Sequence, residues 1–320
     1  MKKSALQAIA AGALACALTG APAAASAAGL SSEQASAIVG LVQAFGAEQS
    51  VVLAVGRVLG LAPAPAAPAP PAPHVPVVGS PYKASNLGFD YSYNAPLFPP
   101  TNFGFGMVGL TGGKAFTPNP RLAQEVSWAR FGAGAPPTLY LNLNAPYGSA
   151  AAIPDNTSGP EACSATSTAL EDGEAEPTPC VAYNFGYHAA AYAYAYAKSG
   201  GISSPIWWLD IEEANSWAPD TAVNDQVIQG AIDYLNAQGL RAGIYSMASM
   251  WKNIAGAAFV PTQSLGGASA SVPTWVPIGI NDQIGAADYC SVGASFIPGS
   301  PVWLVQYEAS ATAVDQNYAC

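Results

Sequence analysis

The sequence predicts an α/β fold built on a parallel sheet. Apolar runs of strand length recur from residue 82 to residue 320, and helical patterns fall between several of them. Strands that alternate with helices form parallel sheets, because each helix returns the chain to the same edge of the sheet. Residues 82–320 also suit one domain of α/β-barrel size. One middle strand ends in two acids, which places candidate chemistry at a strand end.

The predicted elements follow from the spacing of apolar residues. Seven runs predict strands, namely Leu87–Tyr91, Gly106–Leu110, Thr138–Leu143, Ile206–Ile211, Ala242–Tyr245, Thr274–Ile278 and Trp303–Tyr307. Helical patterns cover Arg121–Arg130, Tyr183–Lys198 and Ala222–Gln238. Alanine and tyrosine alternate over Ala191–Ala197, but the alanine content and the need for a crossover predict helix there. The second half has fewer helical patterns, so a regular eightfold alternation is not expected.

The first residues predict export. Lys2 and Lys3 precede an apolar stretch, and Ala25-Ser26-Ala27 offers small residues for cleavage, so residues 1–27 are interpreted as a secretory signal peptide. Cys16 lies in a weak lipoprotein-type context, which leaves lipidation as a minor alternative. No later apolar run reaches the ~18 residues of a membrane span. The mature protein is therefore expected to be secreted, extracellular or attached to the cell wall.

Two short regions separate the signal from the main domain. Residues 28–60 show apolar positions at helical spacing and predict a small helical hairpin, which is too short to bury a core alone. The hairpin is expected to bind a wall component, to self-associate or to act as a spacer. Residues 61–81 are rich in alanine and proline, the composition of a semi-rigid polyproline II linker.

Composition excludes several classes of partner and cofactor. The chain has 10 basic and 20 acidic residues, a net charge of −10, and loses Lys2 and Lys3 with the signal. Nucleic acids and anionic membranes call for basic patches, so neither is an expected partner. Gly104–Gly109 fits GxGxxG but lies before and within a predicted strand, so it does not predict a dinucleotide site. No metal and no cofactor is expected.

Four cysteines remain after removal of the signal peptide. Cys163, Cys180, Cys290 and Cys320 form an even set in an exported chain, which predicts two disulfides. Three pairings are possible, and sequence proximity favours Cys163 with Cys180 and Cys290 with Cys320. Metal binding is the weaker interpretation, because no two cysteines have CxxC spacing. The acidic run Glu171–Glu176 lies between the first pair and is expected to be a solvated loop in preference to a calcium site.

Asp210 and Glu212 are the strongest candidates for catalysis. They end the apolar run Trp207-Trp208-Leu209-Asp210-Ile211-Glu212, and alternation along a strand points both side chains to the same face. Buried acids are costly, so a pair of them in one environment requires an explanation. Glycosidic-bond cleavage uses two carboxyl groups, one protonated and one ionised. Glu213 should point away from the pair.

Other candidate residues lie near the ends of other predicted strands. Asp90 follows the first strand and Asp315 follows the last, and strand ends converge on one face of a parallel barrel. An Asp after a strand is more often a turn or helix-capping residue, so each of these acids taken alone favours that structural role, and Asp315 is the weaker candidate of the two. Aromatic and amide side chains near the same strand ends are candidates for contact with a sugar, since apolar sugar faces pack on aromatic rings: Tyr91, Trp217, Tyr245, Trp275, Gln306 and Tyr307.

The order of these residues resembles a known family. Asp90, Asp210-Ile211-Glu212, Gly243–Ser246 with Trp251, Trp275, and Gln306-Tyr307 followed by Val314-Asp315 occur in the order seen in glycoside hydrolase family 25, the lysozyme-type muramidases. The chain also resembles glycoside-hydrolase-like domains of exported actinobacterial proteins, through Gly88-Phe89-Asp90 and Val108–Gly113. The resemblance covers about residues 85–320, and Asp-x-Glu is its most specific part.

The resemblance implies a fold and a set of roles. The fold would be an irregular TIM-type (β/α) barrel with reduced helices in its second half. Glu212 would be the general acid, Asp210 would orient the substrate's acetamido group, and Asp90 and Asp315 would complete a ring of carboxyls. The substrate would be peptidoglycan or a related N-acetylated polysaccharide. The chain departs from the family in two long insertions, Pro146–Pro179 and Ala255–Val272.

Three functions are therefore open. The leading hypothesis is a secreted, muramidase-like glycan hydrolase that uses the Asp-x-Glu pair. The alternative is a non-catalytic protein of the cell wall that binds a glycan on the same barrel, which the insertions and the linker favour. A surface structural protein that assembles through the hairpin is the third. Fold resemblance does not decide among them.

Overall fold

The computed structural model describes residues 79–91, 102–147, 159–164, 167–169, 175–291, 295–308 and 315–320. The chain divides into two units, Met1–His74 and Val75–Cys320, and every described residue belongs to the second. The predicted signal peptide, the hairpin over 28–60 and nearly all of the linker over 61–81 lie outside the described residues. These three assignments stay predictions.

Eight strands form a closed barrel. In spatial order they are β1 (Leu87–Tyr91), β12 (Gln316–Ala319), β11 (Val302–Glu308), β10 (Thr274–Ile280), β7 (Ala242–Tyr245), β6 (Trp207–Asp210), β3 (Thr138–Asn142) and β2 (Phe105–Gly109). Two small hairpins lie outside the barrel, β4 (Ser167–Ala169) with β5 (Ala175–Pro177) and β8 (Gln263–Leu265) with β9 (Ala268–Ala270). The predicted α/β barrel is confirmed, and all seven predicted strands are present.

The sheet is mixed, which corrects the expectation of a purely parallel one. β12 pairs antiparallel with both β11 and β1, whereas the other neighbouring strands of the barrel pair parallel. Only residues 309–315 separate β11 from β12. A parallel return needs a crossover of a dozen or more residues, so this short connection requires the antiparallel direction.

Five helices are described, fewer than the eight strands of the barrel, and the two nearest the carboxyl terminus are the shortest. The helices are α1 (Leu122–Ala133), α2 (Pro179–Ser199), α3 (Thr221–Ala237), α4 (Ala248–Ile254) and α5 (Gln283–Ser291). The alternating Ala191–Ala197 segment is helical, within α2. The Thr178 hydroxyl accepts the Val181 N–H at the start of α2, and Asp220 accepts the Ala222 N–H at the start of α3. These side chains satisfy donors that a helix leaves unpaired.

Two apolar layers position the strand ends. Outward-facing strand residues such as Leu139, Leu209 and Ile244 pack under the helices, in the largest core cluster. Inward-facing residues fill the barrel itself with large aromatic side chains, namely Phe105, Tyr140, Trp208, Trp275 and Trp303, together with smaller apolar residues. The barrel interior is therefore a packed core below its carboxyl end.

Glycines make room for these inward aromatic rings. A Cβ at Gly109 would lie 2.7 Å from the Tyr140 ring, and one at Gly243 would lie 2.5 Å from the Trp208 ring. At the amino end of the barrel, the Tyr82 hydroxyl accepts the Trp208 indole N–H at 2.9 Å and donates to Thr138 at 3.1 Å. Tyr82 thus covers the amino end of the barrel. The buried acids and amides of the interior lie at the carboxyl end.

Both disulfides connect the pairs that sequence proximity favoured. Cys163 is joined to Cys180 at the start of α2, and Cys290 of α5 is joined to Cys320. Part of the acidic run is described, and there the expectation of a solvated loop is wrong. Glu176 is buried, and its carboxylate accepts the Asp220 N–H at 2.9 Å, so it supports the start of α3.

Candidate functional site

The carboxyl ends of the barrel strands bring buried polar side chains together. Asp90 lies on β1, Asn142 on β3, Asp210 on β6 and Gln306 on β11. The antiparallel strand β12 begins at the same end and carries Asn317 as its second residue. Asp90, Asn142, Asp210 and Asn317 are buried. Parallel strands converge at this end of a barrel, and this geometry groups residues from five strands.

Asp90 is held by two amide side chains. The Gln306 Nε2 donates to both Asp90 carboxylate oxygens at 3.1 Å, and the Asn317 Nδ2 donates to Oδ1 at 2.7 Å. Burial, followed by the nearby charge of Asp315, raises the pKa of Asp90 to about 8. The amide hydrogen bonds act in the opposite direction, since they favour the ionised form.

Outer donors fix the orientation of both amides. The Tyr245 hydroxyl donates to Gln306 Oε1 at 2.8 Å, and the Trp275 indole N–H donates to Asn317 Oδ1 at 2.8 Å. An amide whose oxygen is occupied in this way must present its NH₂ group to the other side. Both NH₂ groups therefore face Asp90.

Asp210 is bonded on one carboxylate oxygen only. The Asn142 Nδ2 donates to Oδ2, whereas Oδ1 is buried and has no hydrogen-bond partner among the described residues. Burial raises the pKa of Asp210 well above its usual value, and the charges of Glu212 and Asp90 raise it further. The free oxygen is an acceptor that a bound molecule can use.

Glu212 and Asp315 lie at the more exposed side of the cluster. Both are partly buried, and burial raises the pKa of Glu212 above its usual value. The pKa of Asp315 is raised to about 6 by burial and by the charges of Glu308 and Glu212. Burial and the charges of Glu212, Asp210, Asp90 and Asp315 raise the pKa of the Tyr245 phenol, so all four acids lie within electrostatic range of its hydroxyl.

The structure places the aromatic candidates in two groups. Tyr245 and Trp217 are partly exposed, and the Trp217 indole N–H donates to the Glu212 backbone oxygen at 2.8 Å. Tyr91, Trp275 and Tyr307 are 0%, 2% and 3% exposed, so the expectation that they contact a sugar is wrong for the structure as described. Tyr91 follows an inward residue and therefore points outward, against Trp128 and Arg121.

Glu213 points away from the acid pair, as expected. It is exposed, and its carboxylate accepts the Asn253 amide at 2.7 Å. It neighbours Glu212 in sequence but differs from it in environment.

Sequence reasoning missed four residues that complete the cluster. Thr111, Asn142 and Asn317 bond the acids or their partners, and Tyr140 lies near them with a pKa raised by burial and by the charges of Asp90 and Asp210. Asn142 could have been identified from the sequence, because it lies near the end of a predicted strand, as Asp210 does. The sequence indication for Asn317 is weaker and consists only of its position two residues after Asp315.

Other features lie elsewhere. A cavity of about 690 Å³ lies between α1 and α2, and another of about 550 Å³ lies at the amino end of the barrel beside Tyr82. Among the described residues no group of three or more His, Cys, Asp or Glu side chains is arranged to hold a metal ion. No described helix has the length and apolarity that crossing a membrane would require.

One segment of the chain matches a family model of lysozyme-like proteins. Residues 155–265, which contain Asp210, Glu212 and Tyr245, match the family model described as lysozyme-like protein 1. The resemblance to lysozyme-type proteins is thereby confirmed for this segment. No curated protein sequence matches the chain.

Solved structures of endolysins are similar to the chain at low identity. The catalytic domain of the endolysin Ply40, from bacteriophage P40 of Listeria monocytogenes, is 19% identical, with 73% of this chain and 92% of that chain covered and a TM-score of 0.40. The modular endolysin Cpl-1, in a mutant form complexed with a peptidoglycan analogue, is 14% identical, with a TM-score of 0.44. That match covers 74% of this chain, which spans 54% of the Cpl-1 chain.

Proposed function

We propose that the protein is a secreted glycan hydrolase that cleaves peptidoglycan or a related N-acetylated polysaccharide. The observation that carries the proposal is the pairing of buried Asp210, which has one free carboxylate oxygen, with the more exposed Glu212 at the mouth of the barrel. The match of residues 155–265 to a lysozyme-like family model supports the same class of reaction. The two disulfides and the predicted signal peptide support an extracytoplasmic location.

The reaction follows from the different environments of the two acids. Glu212, whose raised pKa favours the protonated form, donates its proton to the oxygen of the glycosidic bond as that bond breaks. The substrate's acetamido oxygen attacks the anomeric carbon, and Asp210 Oδ1 accepts the acetamido N–H. Water then opens the cyclic intermediate, and Glu212 takes the proton from that water. The product retains its anomeric configuration, since the carbon is attacked twice.

Asp90 acts on this reaction through Asp210. Both Asp90 oxygens accept amide hydrogens, so the side chain has little capacity to contact a substrate. As the pH rises towards 8, Asp90 gains the negative charge that raises the pKa of Asp210, which makes Asp210 a stronger acceptor for the acetamido proton. Asp315 is proposed to do the same for Asp90. Tyr245 and Trp217, which are partly exposed, are proposed to contact the sugar rings.

Replacement of Glu212 tests the proposal. Glu212→Gln should lower kcat on cell-wall preparations or chito-oligosaccharides by about 10²-fold or more, because glutamine cannot supply the proton. Release of reducing ends between pH 4 and pH 8 measures this. Glu213→Gln is the matched control, and its activity should stay within about twofold of wild type. The proposal would be contradicted by a wild-type protein that releases no reducing ends or by a Glu212→Gln variant with wild-type activity.

A second candidate function is glycan binding without turnover. The hydrogen bonds that Gln306 and Asn317 donate to both oxygens of Asp90 favour it, since they leave Asp90 little capacity to take part in a reaction. A binding protein would hold the glycan equally well as wild type and as Glu212→Gln. It would lose affinity in Trp217→Ala and would release no reducing ends in any form. The predicted hairpin over 28–60 could then add a contact to the wall.

A further inference from the structure

Thr111 and Asn142 form a hydrogen-bonded chain behind Asp210. The Thr111 hydroxyl donates to Asn142 Oδ1 at 2.6 Å, and the Asn142 backbone N–H donates to Thr111 Oγ1 at 3.0 Å. The Asn142 amide then donates to Asp210 Oδ2. The three side chains are 3%, 8% and 6% exposed, so water reaches little of this chain.

The chain has a fixed direction. The Thr111 oxygen already accepts the Asn142 backbone N–H, and its single hydroxyl hydrogen needs an acceptor. Asn142 Oδ1 supplies that acceptor, so the NH₂ group of the amide is turned towards Asp210. If the amide were reversed, the Thr111 hydrogen would lose its acceptor and an amide oxygen would face a carboxylate oxygen. Both changes are unfavourable in a buried site.

We propose that Thr111 is a positioning residue that, through Asn142, keeps Oδ2 of Asp210 as a hydrogen-bond acceptor and leaves Oδ1 as the oxygen that exchanges a proton or binds a substrate N–H. The proposal rests on the hydrolase function proposed above. It accounts for the unpartnered Oδ1, which is buried at the site and has no described protein donor. It also assigns the protonation of Asp210 to one oxygen, because Oδ2 is occupied by a donor.

This arrangement gives the site a requirement on its substrate. A buried acceptor that lacks a protein donor is costly until a ligand supplies one. An N-acetylated sugar brings an N–H to Oδ1, whereas a sugar with a hydroxyl in that position presents a group of different length and acidity. Thr111 thereby contributes to the choice of N-acetylated glycans without touching them.

Thr111→Val removes the hydroxyl and keeps the shape of the side chain. The Asn142 amide is then free to turn its oxygen towards Asp210, which favours the protonated form of that acid. We expect the apparent pKa of Asp210 to rise by about one unit, since a hydrogen bond to a charged group is of that order. Carboxyl ¹³C NMR titration of the free protein measures it, with the signal assigned by its loss in Asp210→Asn. Thr111→Ser, which keeps the donor, should restore the wild-type value.

Activity provides the second measurement. In Thr111→Val the acidic limb of the pH profile of kcat should move up by the same amount, with kcat near pH 6 about tenfold lower and KM nearly unchanged. Thr111→Ala carries the same test if the valine variant does not fold. An unchanged Asp210 titration in the folded variant, or a serine variant that behaves as valine does, would overturn the proposal. The NMR titration needs no turnover, so failure of the hydrolase function and failure of the Thr111 role remain distinguishable.

Discussion

Asp90 combines a raised pKa with hydrogen bonds that oppose the rise. Its side chain is buried, and burial together with the charge of Asp315 raises its pKa from 3.8 to about 8. Three amide hydrogen bonds oppose this shift without cancelling it. Asp90 therefore holds a proton at neutral pH that the same residue in an unfolded chain has lost.

The raised pKa of Asp90 predicts how stability varies with pH. Between about pH 4 and pH 8 the folded protein binds a proton that the unfolded chain does not bind, so the free energy of unfolding should fall as pH rises through this window. Asp90→Asn removes that proton and should make the decline shallower. Urea unfolding at pH 5, 6, 7 and 8 measures both slopes. Asp282→Asn, at an exposed position, is the control, and equal slopes in wild type and Asp90→Asn would contradict the prediction.

Residue-level prediction reached the acids of the cluster because a charge marked each position, and their catalytic roles stay a prediction. Asp90, Asp210 and Glu212 stand out in a chain with 9% charged residues, and strand-end reasoning grouped them. Asn142, Asn317 and other amides carry no such mark, because their importance depends on which atoms face them after folding. Tyr91 was placed at the rim although strand alternation, applied to an inward Asp90, already points it outward.

At the scale of elements, α2 and α3 pack more closely than any side chain with a Cβ would allow at their contact. A Cβ at Gly186 would lie 1.9 Å from the Val227 backbone oxygen, and one at Gly230 would lie 2.1 Å from the Tyr183 backbone oxygen. These are backbone atoms, so a rotamer change cannot relieve the overlap. The two glycines thus set the distance between the helices that flank β6, the strand that carries Asp210.

Gly186→Ala should force α2 and α3 apart. We expect a loss of about 3 kcal/mol in the free energy of unfolding, at the upper end of the cost of overpacking a core, because backbone must move. Chemical denaturation followed by circular dichroism measures it. Gly159→Ala, where a Cβ would meet nothing within 4 Å, should stay within about 0.5 kcal/mol of wild type. A Gly186→Ala variant as stable as wild type would show that the helices can separate without penalty.

Elements with strong periodicity could be predicted, and short ones could not. The three long helices and the seven parallel strands have apolar patterns that the barrel then satisfies on both faces. β12 spans four residues, Gln316–Ala319, and two of them are amides. Nothing in that pattern predicts a strand, because the pairing is imposed by β1 and β11 on either side.

At the scale of the whole molecule, the two disulfides have different relations to the barrel. Cys290–Cys320 connects α5 to the residue that follows β12, and the Cys320 N–H donates to the Trp303 backbone oxygen at 2.9 Å. Cys163–Cys180 connects a segment outside the barrel to the start of α2. One disulfide therefore restrains a barrel strand, and the other restrains a peripheral segment.

Removal of each disulfide should affect a different part of the molecule. Each double alanine variant should lose about 3 kcal/mol in the free energy of unfolding, the usual cost for loops of this length. Hydrogen exchange measured by mass spectrometry should show lost protection over 316–320 in Cys290→Ala/Cys320→Ala only. Equal protection of 316–320 in the two variants would mean that the barrel, and not the disulfide, holds β12 in place.

The pairing of β1 with β12 joins residues that are far apart along the chain. Asp90 and Asn317 are separated by 227 positions, and Leu87 is paired with Tyr318. Contacts between residues so far apart in sequence have a large entropic cost of loop closure and slow folding. We therefore expect β1 and β12 to pair last. A folding intermediate with β1 and β12 still apart would have its helices and most of its sheet. In that intermediate Asp90 would lack the hydrogen bond from Asn317, and the acid cluster would be complete only after the final step of folding.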